Sequence, residues 1–280
     1  MVGRTPAWWT GPVDTLVRLT GAQGDVVVDI GGGVPAIVHW GAPLGDAADL
    51  AVLGPALDRP TVPGGMDDVA PITVVPEHAA GFAGRPGLLG RRGGGRSWSP
   101  RFDPAGHRVE DDTLVVDLAD DRAGLALRLE ISAGAVLSVS AALRNTSADR
   151  RYVLDGLTLT LPLPQQADEL MTFDGRWARE FQPAREPWER GAHTSEYRGG
   201  RTSHERPPVW FAGRLGFGEW HGEVWGAHLA WSGNHTMIAE RLADGRRYLQ
   251  AGELLHPGEV VLEPGESYRT PMLLAVYSGE

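Results

Sequence analysis

The chain has 280 residues, 42% of them hydrophobic and 22% charged, which is the balance of an ordinary folded globular protein and excludes a disordered or fibrous one. Its net charge of −10 argues against a nucleic-acid partner, which would require a basic surface. With no Cys there is no disulfide scaffold, thiolate metal site or cysteine nucleophile.

The first residues, Met1-Val2-Gly3-Arg4 and then Trp8-Trp9, lack the apolar core of a signal peptide. No apolar run approaches the ~20 residues of a membrane span. The expectation is a cytoplasmic protein without a membrane partner. Every basic residue apart from His is Arg, because Lys does not occur.

The 38 Gly and 21 Pro punctuate short runs of Val, Leu, Thr, Ile and Trp, and helical periodicity is scarce. This is the pattern of many strands joined by turns. The apolar run Val26–Ile30 leads into Gly31-Gly32-Gly33-Val34-Pro35-Ala36, which superficially resembles a dinucleotide-binding fingerprint. That fingerprint requires a helix at this point. The following Ala36-Ile37-Val38-His39-Trp40-Gly41 reads as a second strand, so Gly31–Gly33 is expected to be a hairpin turn.

From Gly41 to Asp111 the sequence reads as a long irregular region, rich in Gly, Pro and Arg. Alternating runs at Asp112–Ala119, Ala123–Ser132, Ala135–Leu143 and Tyr152–Leu161 predict an antiparallel meander. Glu169–Pro208 reads as a second polar stretch, holding Trp177 in a loop. Strands return at Trp225–Ser232, Thr236–Arg241, Tyr248–Glu253, Glu259–Leu262 and Met272–Tyr277, with turns at Asp244-Gly245, His256-Pro257-Gly258 and Glu263-Pro264-Gly265. The expected class is all-β, a single domain over 1–280 with two large, face-packed antiparallel sheets and few helices.

The acidic pairs Asp67-Asp68, Asp111-Asp112 and Asp120-Asp121 invite a glycosidase reading, since that chemistry sets two carboxylates across the scissile bond. Neighbours on a strand point to opposite faces, so these pairs are better read as solvated turn residues. The nine His are scattered, without metal-ligand spacing, and neither a metal nor a cofactor is expected. Asn145-Thr146-Ser147 and Asn234-His235-Thr236 fit the glycosylation pattern and carry no weight without a secretory signal. Trp177, flanked by Arg176 and by Arg179-Glu180, is the clearest candidate for an aromatic face that packs on a sugar ring.

Several runs resemble, in order, the family 36 glycoside hydrolases of α-galactosidase type. Gly175-Arg176-Trp177-Ala178-Arg179-Glu180 is similar to that family's Gly-x-Trp-x-Arg-Glu, and Gly200-Arg201-Thr202-Ser203-His204 to its Gly-Arg-Ser-Ser-His. Gly222-Glu223-Val224-Trp225-Gly226, Trp231-Ser232-Gly233-Asn234-His235 and Leu262–Pro271 resemble its later motifs. Glu205-Arg206-Pro207-Pro208 departs from the family's continuation after Ser-His.

The resemblance implies the family's N-terminal β-supersandwich, packed in the parent enzyme against a catalytic (β/α)8 barrel that acts on α-galactosides with retention. The catalytic Asp motifs of that barrel contain Lys and Cys and are absent here, so no catalytic residue is expected in this chain. It further implies that Trp177 contacts substrate, that Arg179 and Glu180 hold it in place, and that Ser203 and His204 fix a loop near the barrel. Asp58 and Arg59 would reach a neighbouring subunit's site in a homo-oligomer. A free-standing carbohydrate-binding module and a mutarotase-like sugar enzyme are the competing readings.

Overall fold

The computed structural model describes residues 15–45, 49–50, 52–53, 69–201 and 204–279. Among them twenty strands form four antiparallel sheets, joined by turns and by short 3-10 segments at His78–Ala80 and Gly93–Gly95. The chain is an all-β, antiparallel supersandwich.

The first three strands, β1 (Leu16–Gly21), β2 (Gly24–Asp29) and β3 (Ala36–Gly41), make a small sheet. The Gly31–Gly33 segment is the connection between antiparallel β2 and β3, so no helix follows it and the nucleotide fingerprint is void. β4 (Leu88–Arg91) pairs with a later strand. The meander then runs through β5 (Asp103–Glu110), β6 (Thr113–Asp120), β7 (Leu125–Ala133) and β8 (Leu137–Asn145). In β7, buried and accessible residues alternate along almost the whole strand, as expected where one face lies on a core and the other on solvent.

The run expected as one strand at 152–161 divides at Thr158 into β9 (Tyr152–Leu157) and β10 (Leu159–Leu163). The two halves enter different sheets. The remaining strands are β11 (Glu169–Arg176), β12 (Arg179–Pro187), β13 (Gly191–Tyr197), β14 (Val209–Gly213) and β15 (Val224–Ala230). After them come β16 (His235–Arg241), β17 (Arg247–Glu253), β18 (Val260–Leu262), β19 (Ser267–Arg269) and β20 (Met272–Ser278).

The largest sheet has the order β12-β11-β14-β15-β20-β8-β7-β6-β5, with β19 also paired to β8. Against it lie the β1-β2-β3 sheet, the sheet β10-β17-β16-β13 and the sheet β18-β9-β4. One continuous core joins them, with Val28, Ile37 and Trp40 from the first sheet packed among Leu129, Leu143, Leu161, Trp225 and Leu273. Burial of this apolar surface, at roughly 25 cal/mol per Å2, is the main stabilising contribution.

Two expectations about irregular regions are corrected. The stretch 41–111 contains β4 and β5, and a buried strap at 72–76 that bends at Val74 and Val75, neither of which has exposed surface. Val74 N–H donates to Pro35 O, and Val74 O accepts from Thr160 N–H of β10. The strap thereby covers an otherwise open sheet edge. The stretch 169–208 is likewise no loop, since it supplies β11, β12 and β13.

Two buried polar side chains, Arg92 and Asn145, are tied to main-chain partners. The Arg92 guanidinium, almost wholly buried, donates to the carbonyls of Ala123, Gly124, Arg150 and Arg151 and to Asn145 Oδ1. Asn145 in turn donates to Arg150 O and Leu262 O. With no exposed surface and both amide hydrogens engaged, Asn145 is unavailable for glycosylation in the folded chain.

Asp111 and Asp120 sit at strand turns, Asp111 with φ of 52°. Asp120 accepts from Ala123 N–H and Arg101 N–H, which is a turn role. Asp67 and Asp68 lie outside the described residues. No helix among the described residues is long and apolar enough to cross a membrane.

Glu77 makes the stability of the fold depend on pH. Partial burial, with Asp103 and Asp120 nearby, pushes its carboxyl up to about 7, although Oε1 accepts a 2.6 Å hydrogen bond from Phe102 N–H. The folded chain therefore holds a proton that the unfolded chain releases near pH 4.5. This contribution is fully present below that pH and is lost as pH rises through about 7. We expect unfolding free energy to fall by about 1–3 kcal/mol between pH 5 and 8 from this group. Urea titrations of Glu77→Gln, which keeps an acceptor for Phe102, should lack that fall; an identical pH profile would contradict the assignment.

Candidate functional site

Trp177 and Ala178 form the two-residue turn of the β11–β12 hairpin, where Arg176 faces Arg179 across the ladder. The placement of Trp177 in a loop is therefore corrected to the tip of a hairpin. Its side chain is 80% exposed. A Trp so placed gains little from burial and presents its aromatic face to solvent.

The tip is held in a conformation that ordinary residues avoid. Ala178 has φ of 63° and Phe181 φ of 50°, each costing roughly 1–2 kcal/mol for a residue with a Cβ. Two residues of β12, Glu180 and Phe181, oppose Gly175 alone between the paired positions Asp174–Gln182 and Arg176–Arg179, so the strand carries a bulge that re-aims the tip.

Three contacts maintain this geometry. The Glu180 carboxylate accepts from Ala178 N–H at 2.9 Å. The residue's own N–H and then that bond, with the His204 imidazole nearby, hold its carboxyl below the ordinary range. Phe181 packs on Phe173, which packs on Phe211 of β14. Gly175 N–H donates to Glu205 O, and its Cα faces so closely that a Cβ would lie 2.5 Å from His204 O and 2.7 Å from Arg179 O.

The segment at 204–206 is clamped from the other side. Arg206 Nη1 donates to Glu196 O in β13, and Arg206 O accepts from the His235 ring at 2.9 Å. Tyr197 stacks on that ring at 5.8 Å. Gly200 N–H donates to Asn234 Oδ1. The motifs at 200–204 and 231–235, thirty residues apart in sequence, thus meet behind the hairpin.

Of the residues expected from sequence, the fold brings together Trp177, Glu180 and His204. The His204 ring meets the Trp177 ring edge-on at 6.1 Å. Arg179 is exposed on the same hairpin. Ser203, Asp58 and Arg59 lie outside the described residues. Gly175, Glu196, Arg206 and Phe173 support the tip and were not singled out; the signal for Gly175 was its place in the motif, while the others carried none. Among the described residues no group of His, Asp or Glu could hold a metal ion.

Fold and site together define an antiparallel β-supersandwich domain that presents an aromatic hairpin at one edge. Residues 33–263 match the glycosyl hydrolase family 36 N-terminal domain, and the chain belongs to that family. It is 40% identical over 248 residues to an α-galactosidase of Escherichia coli, covering 87% of this chain and 34% of that protein. To α-galactosidase AgaA of Geobacillus stearothermophilus it is 30% identical over 179 residues, 62% of this chain and 24% of that protein.

The chain therefore spans about a third or less of the length of these relatives. The crystal structure of AgaA overlays 95% of this chain and 41% of its own with a TM-score of 0.80 at 24% identity. The α-galactosidase of Lactobacillus brevis overlays 94% of this chain and 39% of its own with a TM-score of 0.78 at 21% identity. Both likenesses bear on the fold alone.

The close backbone approach at Gly175 makes a specific expectation. Gly175→Ala should destabilise the chain by about 1–3 kcal/mol and displace the tip. The Trp177 indole N–H resonance, assigned by its loss in Trp177→Phe, should shift or broaden, and an unchanged resonance would show that the contact is relaxed at no cost.

Proposed function

We propose that the chain is the accessory N-terminal domain of a retaining α-galactosidase and that its β11–β12 hairpin forms one wall of the galactoside pocket. The observation that carries this reading is the exposed Trp177 face on a backbone held in an unfavourable conformation by Glu180, Gly175 and the 204–206 segment. Such strain persists where the surrounding structure over-determines it, and it concentrates at ligand sites.

In this reading Trp177 packs on the apolar face of the galactose ring. Glu180 positions Trp177 by fixing Ala178 N–H, Arg179 flanks it, and Ser203 and His204 support the segment against a barrel domain. Variants of AgaA have been solved with 1-deoxygalactonojirimycin, raffinose and stachyose, which favours an α-galactoside as the ligand. A single unit over 1–280, a homo-oligomer in which Asp58 and Arg59 approach the neighbouring site, and a cytoplasmic location complete the proposal.

The hydrolytic step itself needs two carboxylates across the bond, ~5–5.5 Å apart for retention. In this reading that pair belongs to the barrel domain. The purified 280-residue chain should therefore leave an aryl α-galactoside uncleaved. Turnover that a carboxylate substitution within the chain abolishes would overturn the accessory role.

In the full-length parent, Trp177→Ala should lower kcat/KM for galactosides by roughly one to three powers of ten, the equivalent of ~1–4 kcal/mol of transition-state stabilisation. The fold should persist, because the side chain is exposed. Unchanged kinetics would remove the hairpin from the pocket.

A further inference from the structure

Behind the hairpin lies a cleft between two sheets. Its walls are Thr172 and Asp174 of β11, Glu186 of β12, His193 and Ser195 of β13, and Arg206. It offers about 290 Å3, near the lower end of ordinary ligand sites at roughly 300–1,000 Å3. Asp174 and Arg206 also line the adjoining hollow bounded by Gly175 and Tyr197. The cleft is thus continuous with the region behind the Trp177 tip.

The chemistry of the walls selects the ligand. His193 Nδ1 lies 2.8 Å from Glu186 Oε1, so an imidazole and a carboxylate, both accessible, share one wall. Asp174 supplies a second acceptor, Arg206 a fixed donor, and Thr172 and Ser195 hydroxyls that act as either. An anion would meet two carboxylates, and a cation would meet the guanidinium. A neutral molecule carrying many hydroxyl groups, each both donor and acceptor, matches the whole set.

An added peptide strand is disfavoured. β13 is the edge of its sheet, but Arg206 already occupies the Glu196 carbonyl on that edge, and such a strand would need the row of main-chain groups free.

We propose that this cleft binds a neutral oligosaccharide, as a site separate from the Trp177 face. The inference rests on the proposed function only for the choice of sugar. The lining of the cleft is mostly polar side chains that water already solvates, so affinity in the isolated chain should be in the millimolar range.

The test is saturation-transfer and amide-shift NMR on the purified 280-residue chain with stachyose. Expected are transfer to the sugar and shifts at the Thr194 and Ser195 amides. Both Glu186→Ala and His193→Ala should weaken binding about tenfold, whereas Trp177→Ala should leave it intact. Thr172→Val, which removes one hydroxyl at constant shape, provides a second probe if thermal melts show either variant to be unfolded.

Absence of transfer at tens of millimolar sugar would overturn the proposal. So would binding abolished by Trp177→Ala and untouched by the cleft variants, or equal amide shifts with inorganic phosphate. None of these results bears on full-length Trp177→Ala kinetics, so failure here is distinguishable from failure of the pocket-wall reading.

Discussion

The architecture depends on Trp40, where three sheets meet. Its indole N–H donates to Pro162 O in β10 at 2.5 Å, and its main-chain carbonyl accepts from the Trp225 indole of β15 at 3.0 Å. Trp225 packs on Tyr277 of β20 at 5.3 Å. A buried indole or carbonyl without a partner costs roughly 1–3 kcal/mol, so these bonds fix register as well as adding apolar contact. Pro162 can stand in β10 because β10 is an edge strand of its sheet, where no ladder hydrogen is required of it. Its free carbonyl is what Trp40 uses.

That arrangement leaves the β11–β12 hairpin at the far edge of the largest sheet, with Leu170 at its base in the shared core and its tip outside it. β12 pairs only with β11, and nearly all of its residues are exposed. Its stability comes from pairing, from the Phe173–Phe181–Phe211 contacts and from the Arg185–Glu169 ion pair at 2.7 Å. Arg185 also lies over the Phe217 ring at 4.2 Å, within cation-π range. An element held this way can project an aromatic tip without breaking into the core.

Legibility in the sequence followed burial. β6, β7 and β8 were visible because their apolar side chains alternate or run together over a buried face, and β16 and β17 because they are buried on both faces. β5 and β12 were invisible because they bury almost nothing and contain Pro104, Gly106, Pro183 and Pro187, residues read as strand breakers. They are strands through their neighbours' hydrogen bonds, not through any pattern of their own. The 72–76 strap was hidden by Pro71 and Pro76 at its ends. At the site, Trp177 was legible because its flanking charges made a core role implausible. Glu196 and Arg206 were not, since their contribution is a main-chain carbonyl of β13 and a guanidinium that the chain after β13 folds back onto it.

This difference also separates folding from function at the tip. Trp177 contributes an exposed face and little packing, so the fold is nearly indifferent to it. Gly175 contributes no functional group, yet the tip's geometry depends on its missing Cβ, because the 204–205 backbone occupies that space. The strain at Ala178 and Phe181 is carried by the hairpin ladder and by Glu180, not by the Trp177 side chain. The exposed aromatic face and the geometry that aims it therefore rest on different residues within four positions of each other. That is the arrangement expected when a domain supplies a preorganised surface whose complement lies elsewhere.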